Sequence, residues 1–333
     1  MGYRFEPHPT PSLHVTRTPS LLLLAATLLA AVVMAVITVR SAGAAGISVS
    51  TAAVGSPTTF HTPLDAAPNP AGDTFYFVAL TADGKPGVFS VPSGGGAVTT
   101  VFSGALLVAP RGIVVSTDGA TLYVADPQAS GGGAVFAIPV GGGSATPVSG
   151  TQGTMPRALD LVNKAGQDIL YVAGVDPKNG RADVWRLPAA GGPRTSVMTG
   201  SPLAFADGVA VASNGTVYVA GRNGNSDSSA VVLQIDKHGH QPLVRKVTLG
   251  APAGMALTQD ESTLLVSSLA ADGTSQVLIV DLATGATSTF NGTIGASHAS
   301  GGLHRAQNNN TFAWCGVTVG NGGQGTVFRV TLF

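Results

Sequence analysis

The sequence predicts an all-β chain: a six-bladed β-propeller of four-stranded antiparallel blades, closed by an N-terminal strand that completes the last blade. Three observations carry this. Two short strand-like segments recur in step six times, each recurrence sits in the same run of strands and turns, and the last copy stops before its fourth strand. The first segment is LYVAD, with counterparts FYFVAL, LYVAG, VYVAG, LLVSS and FAWCG. Aligned on its second residue, they bring Phe77, Tyr123, Tyr171, Tyr218, Leu265 and Ala313 into one column. The second segment is AVFAI, with counterparts GVFSV, DVWRL, VVLQI, QVLIV and TVFRV. It gives a column of Phe89, Phe136, Trp185, Leu233, Leu278 and Phe328. Both columns advance by 45 to 50 residues, and two independent columns in step mark one supersecondary unit written repeatedly.

Within a unit the order is strand, turn, strand, loop, strand, turn, strand. In the second unit GIVVS leads through TDG to TLYVAD, and a Gly-rich loop follows. AVFAIPV, GGG and ATPVSG then complete the unit. The strand segments are short, rich in Val and aromatics, and bounded by Gly, Asp and Asn. Four antiparallel strands at this period describe a propeller blade. A solenoid would need a capping repeat at each end, and none is visible. The sixth unit ends at GTVFRVTLF. ISVSTAAVG and SPTTFHTP, ahead of the first unit, have no other role. Residues 47–62 are therefore expected to pair with Gly325 to Phe333, which closes the ring and removes an open sheet edge.

Residues 1–45 read as a targeting segment and 46–333 as the propeller. Leu21 to Val39 carries no charge, follows Arg4 and Arg17, and precedes Ala42-Gly43-Ala44, a small-x-small pattern for signal peptidase. The run is also long enough to span a bilayer. It reads either as a signal peptide cleaved to leave a chain beginning near Ala45, or as a retained transmembrane anchor. Both place the propeller outside the cytoplasm, secreted or periplasmic, with membrane contact only through this segment. Lys plus Arg equals Asp plus Glu at 17 each, and only 10% of residues are charged. With no basic cluster, nucleic acid is not the expected partner. The lone Cys315, in FAWCG, excludes an internal disulfide and a multi-thiolate zinc site, and reads as a small core hydrophobe.

In a propeller the innermost strand of each blade begins beside the central channel. Aligned on the Gly of PRGIVVS, the preceding residues are Asp65, Arg111, Arg157, Asp207, Ala253 and Gly301, at steps of 46 to 50 residues. Asp65 and Asp207 are thus expected to face each other across the axis, with the two arginines between them. Such a ring either neutralises itself through ion pairs or offers paired arginines to a ligand carboxylate or phosphate. Arg111, Arg157 and Asp126, the last residue of LYVAD, are the candidate ligand-binding residues.

The unit P-x-G-hydrophobic, turn, DG, LYVAD, loop, GxVFxI, GG resembles the six-bladed propellers of the NHL-repeat and senescence-marker/gluconolactonase superfamily, over residues 47–333. In the gluconolactonase-like enzymes a divalent cation such as calcium is held by a Glu, an Asn and an Asp. The stretch FADGVAVASNGTVYVAG matches the context of that Asp, so the resemblance implies Asp207 as a ligand, with Asp65 standing where the Glu would be. Arg157 occupies the Asn position, and a guanidinium there repels the cation it should help bind. His298 and His304, in SHASGGLHRA, flank the start of the sixth innermost strand. The likeness to calcium-dependent lactonase propellers implies a general-base role for them.

Other polar groups read as turn chemistry. These are His238 and His240 in DKHGH, Asp176, Asn179 and Asp183 in VDPKNGRAD, and Asn308-Asn309-Asn310 in place of a DG turn. There is no G-x-S-x-G nucleophile motif, and no glycine-rich run opens a helix. Because this fold hosts lactonases, other hydrolases, synthases, lyases and pure binding modules, three functions stand. One is an exported binding or scaffold module with its ligand face at the channel mouth. The others are a metal-dependent lactonase and a cell-surface protein-interaction module. The ligand is a small molecule or a protein at the channel face.

Overall fold

A computed structural model describes residues 37–39, 46–224, 230–244, 253–270, 274–290, 297–318 and 324–333. Leu21 to Val36, most of the apolar run, lies outside the described residues, as does the cleavage motif. Among the described residues no helix is long and apolar enough to cross a membrane. The last three residues of that run form a short strand, β1 (Ile37–Val39).

Five sheets have four strands and one has five. Blade 1 is β3 (Phe60–Pro68), β4 (Thr74–Thr81), β5 (Pro86–Pro92) and β6 (Thr99–Ser103). Blade 2 is β7 (Gly112–Val115), β8 (Thr121–Asp126), β9 (Ala134–Pro139) and β10 (Thr146–Pro147). Blade 3 is β11 (Ala158–Lys164), β12 (Gln167–Val175), β13 (Ala182–Pro188) and β14 (Thr195–Thr199). Blade 4 is β15 (Leu203–Val211), β16 (Val217–Asn223), β17 (Ala230–Asp236) and β18 (Gly239–Val244). Blade 5 is β19 (Gly254–Leu257), β20 (Thr263–Leu269), β21 (Ser275–Asp281) and β22 (Thr287–Phe290). Blade 6 takes β23 (Ser297–Arg305), β24 (Thr311–Thr318) and β25 (Thr326–Leu332) from the chain end, and β2 (Ile47–Val54) from its beginning. The strand β2 pairs antiparallel with β25, Ile47 opposite Leu332 and Val54 opposite Thr326, and β1 adds a fifth strand outside it. The expected closure is therefore present over 47–54. Residues 60–62 belong instead to β3, the innermost strand of blade 1.

The core is divided by the blades. Six buried apolar clusters lie one at each junction between neighbouring blades. Each second strand sends alternate residues to opposite junctions, as a period of two requires. Tyr123 packs toward blade 3 while Val124 packs toward blade 1. This alternation corrects the first repeat column in blade 1. Phe77 pairs with Phe89, whereas Phe136 pairs with Val124 and Trp185 with Val172. Tyr76, not Phe77, therefore stands in the place of Tyr123. The FYF run offers an aromatic at either register, and a one-residue slip exchanges the two faces.

Polar side chains clamp the turns that join first to second strands. The Thr117 amide donates to Asp168 across blades 2 and 3 at 2.9 Å. Ser213 donates to Glu261 through its amide at 2.6 Å and its hydroxyl at 3.0 Å, across blades 4 and 5. The Gln259 amide donates to Asn310 Oδ1 at 2.7 Å, and Asn309 donates to the Ala71 carbonyl at 2.8 Å. The Asn308–Asn310 turn thus also fastens blade 6 to both its neighbours.

Candidate functional site

The innermost strands begin on one face, called here the loop face, and end at the first-to-second-strand turns on the opposite, hairpin face. The pairing register fixes which residues share a level along the channel. Gly112, Ala158, Gly208 and Gly254 lie opposite Ala125, Ala173, Ala220 and Ser267. The blade 1 residue at this level is Asp65, opposite Val78. Asp65 therefore occupies the glycine position and stands one residue further along than Arg111, Arg157 and Asp207. The expected facing of Asp65 and Asp207 on one ring does not occur.

The glycines at this level exist because neighbouring innermost strands come very close. A Cβ on Gly112 would lie 2.7 Å from the Arg157 carbonyl of the next blade. A Cβ on Gly302 would fall within the Asp65 carboxylate itself. Asp65 fills the room that this missing side chain leaves. It is 2% exposed. Its oxygens accept from the amides of Ala66 and Ile113, each at 2.8 Å, and from His304 Nε2 at 3.0 Å. One carboxylate so ties together blades 1, 2 and 6.

At the loop face, Arg157 Nη1 pairs with Asp207 at 3.1 Å, and its guanidinium lies over the Phe205 ring, 4.9 Å from the centroid. Arg111 is exposed. Asp126 does not face a ligand space. It is fully buried, and its carboxylate accepts the amides of Val108 (2.6 Å), Ala109 (3.0 Å) and Gln128 (2.9 Å), which anchors the loop leading into blade 2. His298 falls in β23, and its side chain lies outside the described residues. Asp176 holds its own turn through Lys178 and Asn179, while the buried Asp183 accepts from Ser196 and Thr199 of β14. His238 and Asp236 share the turn between β17 and β18.

The cation site implied by the resemblance does not fit these residues. Asp65 has its oxygens engaged by two amides and an imidazole. Asp207 is engaged by a guanidinium, and the two stand at different levels. Among the described residues no three His, Cys, Asp or Glu side chains are grouped to hold a metal ion.

The hairpin-face end of the channel holds a constellation that the sequence reading missed in part. A cavity of about 290 Å³ is lined there by the ends of the innermost strands, and it includes Asp160, His304, Arg305 and Glu261. Asp160 lies opposite Tyr171 and His304 opposite Ala313, which are equivalent positions of blades 3 and 6. In a six-bladed ring these blades are diametrically opposed; the Asp160 carboxylate turns toward Val211 of blade 4 and the His304 imidazole toward Asp65 of blade 1, and both side chains line the same cavity. The other four residues at this level are Ala67, Val114, Ala210 and Ala256.

Asp160 accepts from the amides of Leu161 (2.8 Å) and Val211 (2.7 Å). Burial pushes its pKa up to about 6, against the opposing pull of His304 and Arg305. For His304, burial works against the charged ring. The Asp65 carboxylate, by charge and by hydrogen bond, together with Asp160, outweighs it and raises the imidazole above its ordinary value. Asp160 sits in PRALDL, three residues past Arg157. The signal available is a charged residue where four of the five other copies have Val or Ala.

No protein-family model matches the chain, and no curated protein matches its sequence. Among solved structures, a gluconolactonase from Xanthomonas campestris superposes with a TM-score of 0.62 at 18% identity, over 90% of this chain and 95% of that one. The PQQ-bound aldose sugar dehydrogenase of Streptomyces coelicolor gives 0.62 at 14% identity, over 87% and 99%. A chain of a nidogen/laminin complex gives 0.55 at 14%, over 69% and 80%. At these identities the likeness is one of fold: this chain is a six-bladed propeller of the kind those proteins share.

Proposed function

We propose that this propeller is an exported binding module that takes its ligand on the loop face, over the channel mouth at blades 2 to 4. The observation that carries this is a rim of exposed apolar side chains beside the two arginines. Leu106 and Val108 are 47% and 49% exposed, Met155 41% and Phe205 43%. They stand in the segments that lead into β7, β11 and the start of β15, next to Arg111 and Arg157. Two other large apolar side chains among the described residues are comparably exposed, Val54 and Phe333, in β2 and at the chain end. Apolar side chains gathered at one place on a surface mark a binding face. Arginine beside them selects a ligand that carries an anionic group next to an apolar body.

The lactonase reading draws no support here, since its two carboxylates do not meet. The export reading rests on the uncharged run and the Ala42-Gly43-Ala44 motif. Cleavage there would remove β1 and leave β2 intact.

Anilinonaphthalene sulfonate, an aromatic anion, is a suitable probe. Saturable binding to the folded protein is expected, weakened at least about tenfold in Arg111→Glu and in Phe205→Ala at unchanged melting temperature. Binding that both substitutions leave untouched sinks the reading. For export, N-terminal sequencing of the mature protein is expected to begin near Ala45, or the full-length chain to remain with the membrane. Recovery of the full-length chain from the soluble cytoplasm contradicts both.

A further inference from the structure

We propose that the hairpin-face end of the channel is a second binding site, for an alkylammonium group. Its nitrogen sits between Asp160 and His304, and its carbon chain lies along Val114, Val211, Met255 and Leu257. The site is separate from the loop-face rim and does not depend on it.

The chemistry of the two polar groups points to a donor-rich cation. His304 is 9% exposed. It gives Nε2 to Asp65 at 3.0 Å, which fixes the neutral ring with its proton on that nitrogen and leaves Nδ1 an acceptor. Among the described residues Nδ1 has no partner, and the ring lines the cavity. Across the axis, Asp160 takes two backbone amides and, among the described residues, has no ion-pair partner. Two acceptors that face one small space are matched by an ammonium, which has three donors and no acceptor.

The cations already present are committed elsewhere. Arg305 turns its guanidinium to backbone carbonyls: Nε to Leu257 at 2.7 Å, and Nη1 to Gln307 at 3.1 Å and Asn309 at 3.2 Å. His304, when protonated, is answered by Asp65. The charged groups acting on His304 are Asp65 on β3 and Asp160 on β11, while Glu261, ahead of β20, and Arg305, beside it on β23, line the same cavity. The first-to-second-strand turns around the opening add Asp73, Asp118, Asp168 and Asp260 against Lys164. An opening with this excess of one sign concentrates cations at its mouth. The walls are aliphatic, and the cavity measures about 290 Å³. That room accepts a short alkyl chain.

The test is calorimetric titration of the intact protein with hexylammonium chloride at pH 8, with hexanol and hexanoate as neutral and anionic controls of the same chain length. One saturable site for hexylammonium is expected, with both controls at least about tenfold weaker. Asp160→Asn is expected to lose at least about tenfold in affinity, while Asp83→Asn, on the exposed turn between β4 and β5 away from this opening, loses none. The pH series needs no variant. Protonation of Asp160 and of His304 removes both acceptors, so affinity for hexylammonium falls between pH 8 and pH 5.5, and binding at pH 6.5 releases protons. Nα-acetyl-lysine amide carries the same group on a peptide. Binding tighter than that of hexylammonium assigns the ammonium to a protein lysine, and weaker binding to a free amine. Hexanol binding as well as hexylammonium, or an affinity indifferent to pH, overturns the proposal.

Discussion

Replacing Asp65 by Asn tests the joint between blades 1, 2 and 6 with almost no change in volume. The carboxylate has one oxygen on the Ala66 amide and the other on both the Ile113 amide and His304 Nε2. An Asn can present its oxygen to only one of these two sides. Its NH₂ then faces an N–H donor on the other, inside a site where Asp65 is 2% exposed. A buried donor left unpaired costs about 1–3 kcal/mol, and the charged hydrogen bond to His304 is lost as well, so the expected loss is about 2–4 kcal/mol. At roughly 2 °C per kcal/mol for a domain of this size, the melting temperature should fall by about 4–8 °C.

The sign of the pH dependence follows from His304. Its folded-state value is raised, with Asp65 the main cause after burial is overcome. The pair therefore contributes fully below the unfolded value of about 6.5, and the contribution disappears as pH rises through the folded value. Asp65→Asn removes it, so the deficit against the native protein should be larger at pH 6 than at pH 9. Calorimetric melting at both pH values measures this. An unchanged melting temperature, or one deficit at both pH values, refutes the reasoning.

Four further outcomes are expected. A chain beginning at residue 56 loses β2, whose Ile47 and Val49 are 6% and 5% exposed. At about 1.5–3 kcal/mol per buried side chain, its melting should reveal a loss of about 3–6 kcal/mol, and native-like stability would remove β2 from the closure. Arg157 and Asp207 are partly exposed, so Asp207→Asn should cost at most about 1 kcal/mol, with part recovered in Asp207→Asn/Arg157→Met by denaturant titration. Chelator should leave the melting temperature unchanged, and a clear drop would restore the metal reading. Burial, with the nearby Asp65, raises the Cys315 thiol well above its ordinary value. Iodoacetamide should therefore label Cys315 only as fast as the protein unfolds, and rapid labelling of the folded chain would contradict its burial.

Blade number, strand order and the closing strand were all legible in the sequence, because a repeated unit must bury the same alternating face in every copy. The registers of blade 1 were less so. Its first strand reads FHTPLDAAP, with no glycine to align on, and the acid sits where the other copies place a small residue. Only Gly302, on a strand remote in sequence, makes room for it. The His304–Asp65 bond joins residues at opposite ends of the chain, a contact that no local pattern announces. Asp126 was misread for a related reason. A buried carboxylate that accepts loop amides and an exposed one that meets a ligand have the same letter and the same strand-end position.

The amide and carbonyl of Gly46 exchange hydrogen bonds with those of Phe333, at 2.8 and 3.0 Å. Start and finish of the propeller are therefore neighbours, and β2 is made well before its partner β25, with the whole ring between them. This interface cannot form before β25 has been made, whatever the earlier blades have done. Ring completion is a contact of the greatest sequence separation available, the kind that slows folding. Until it forms, both edges of the seam are open to strands of other chains. The interval before β25 meets β2 is thus when this propeller is most exposed to mispairing and most dependent on being held apart from its own copies.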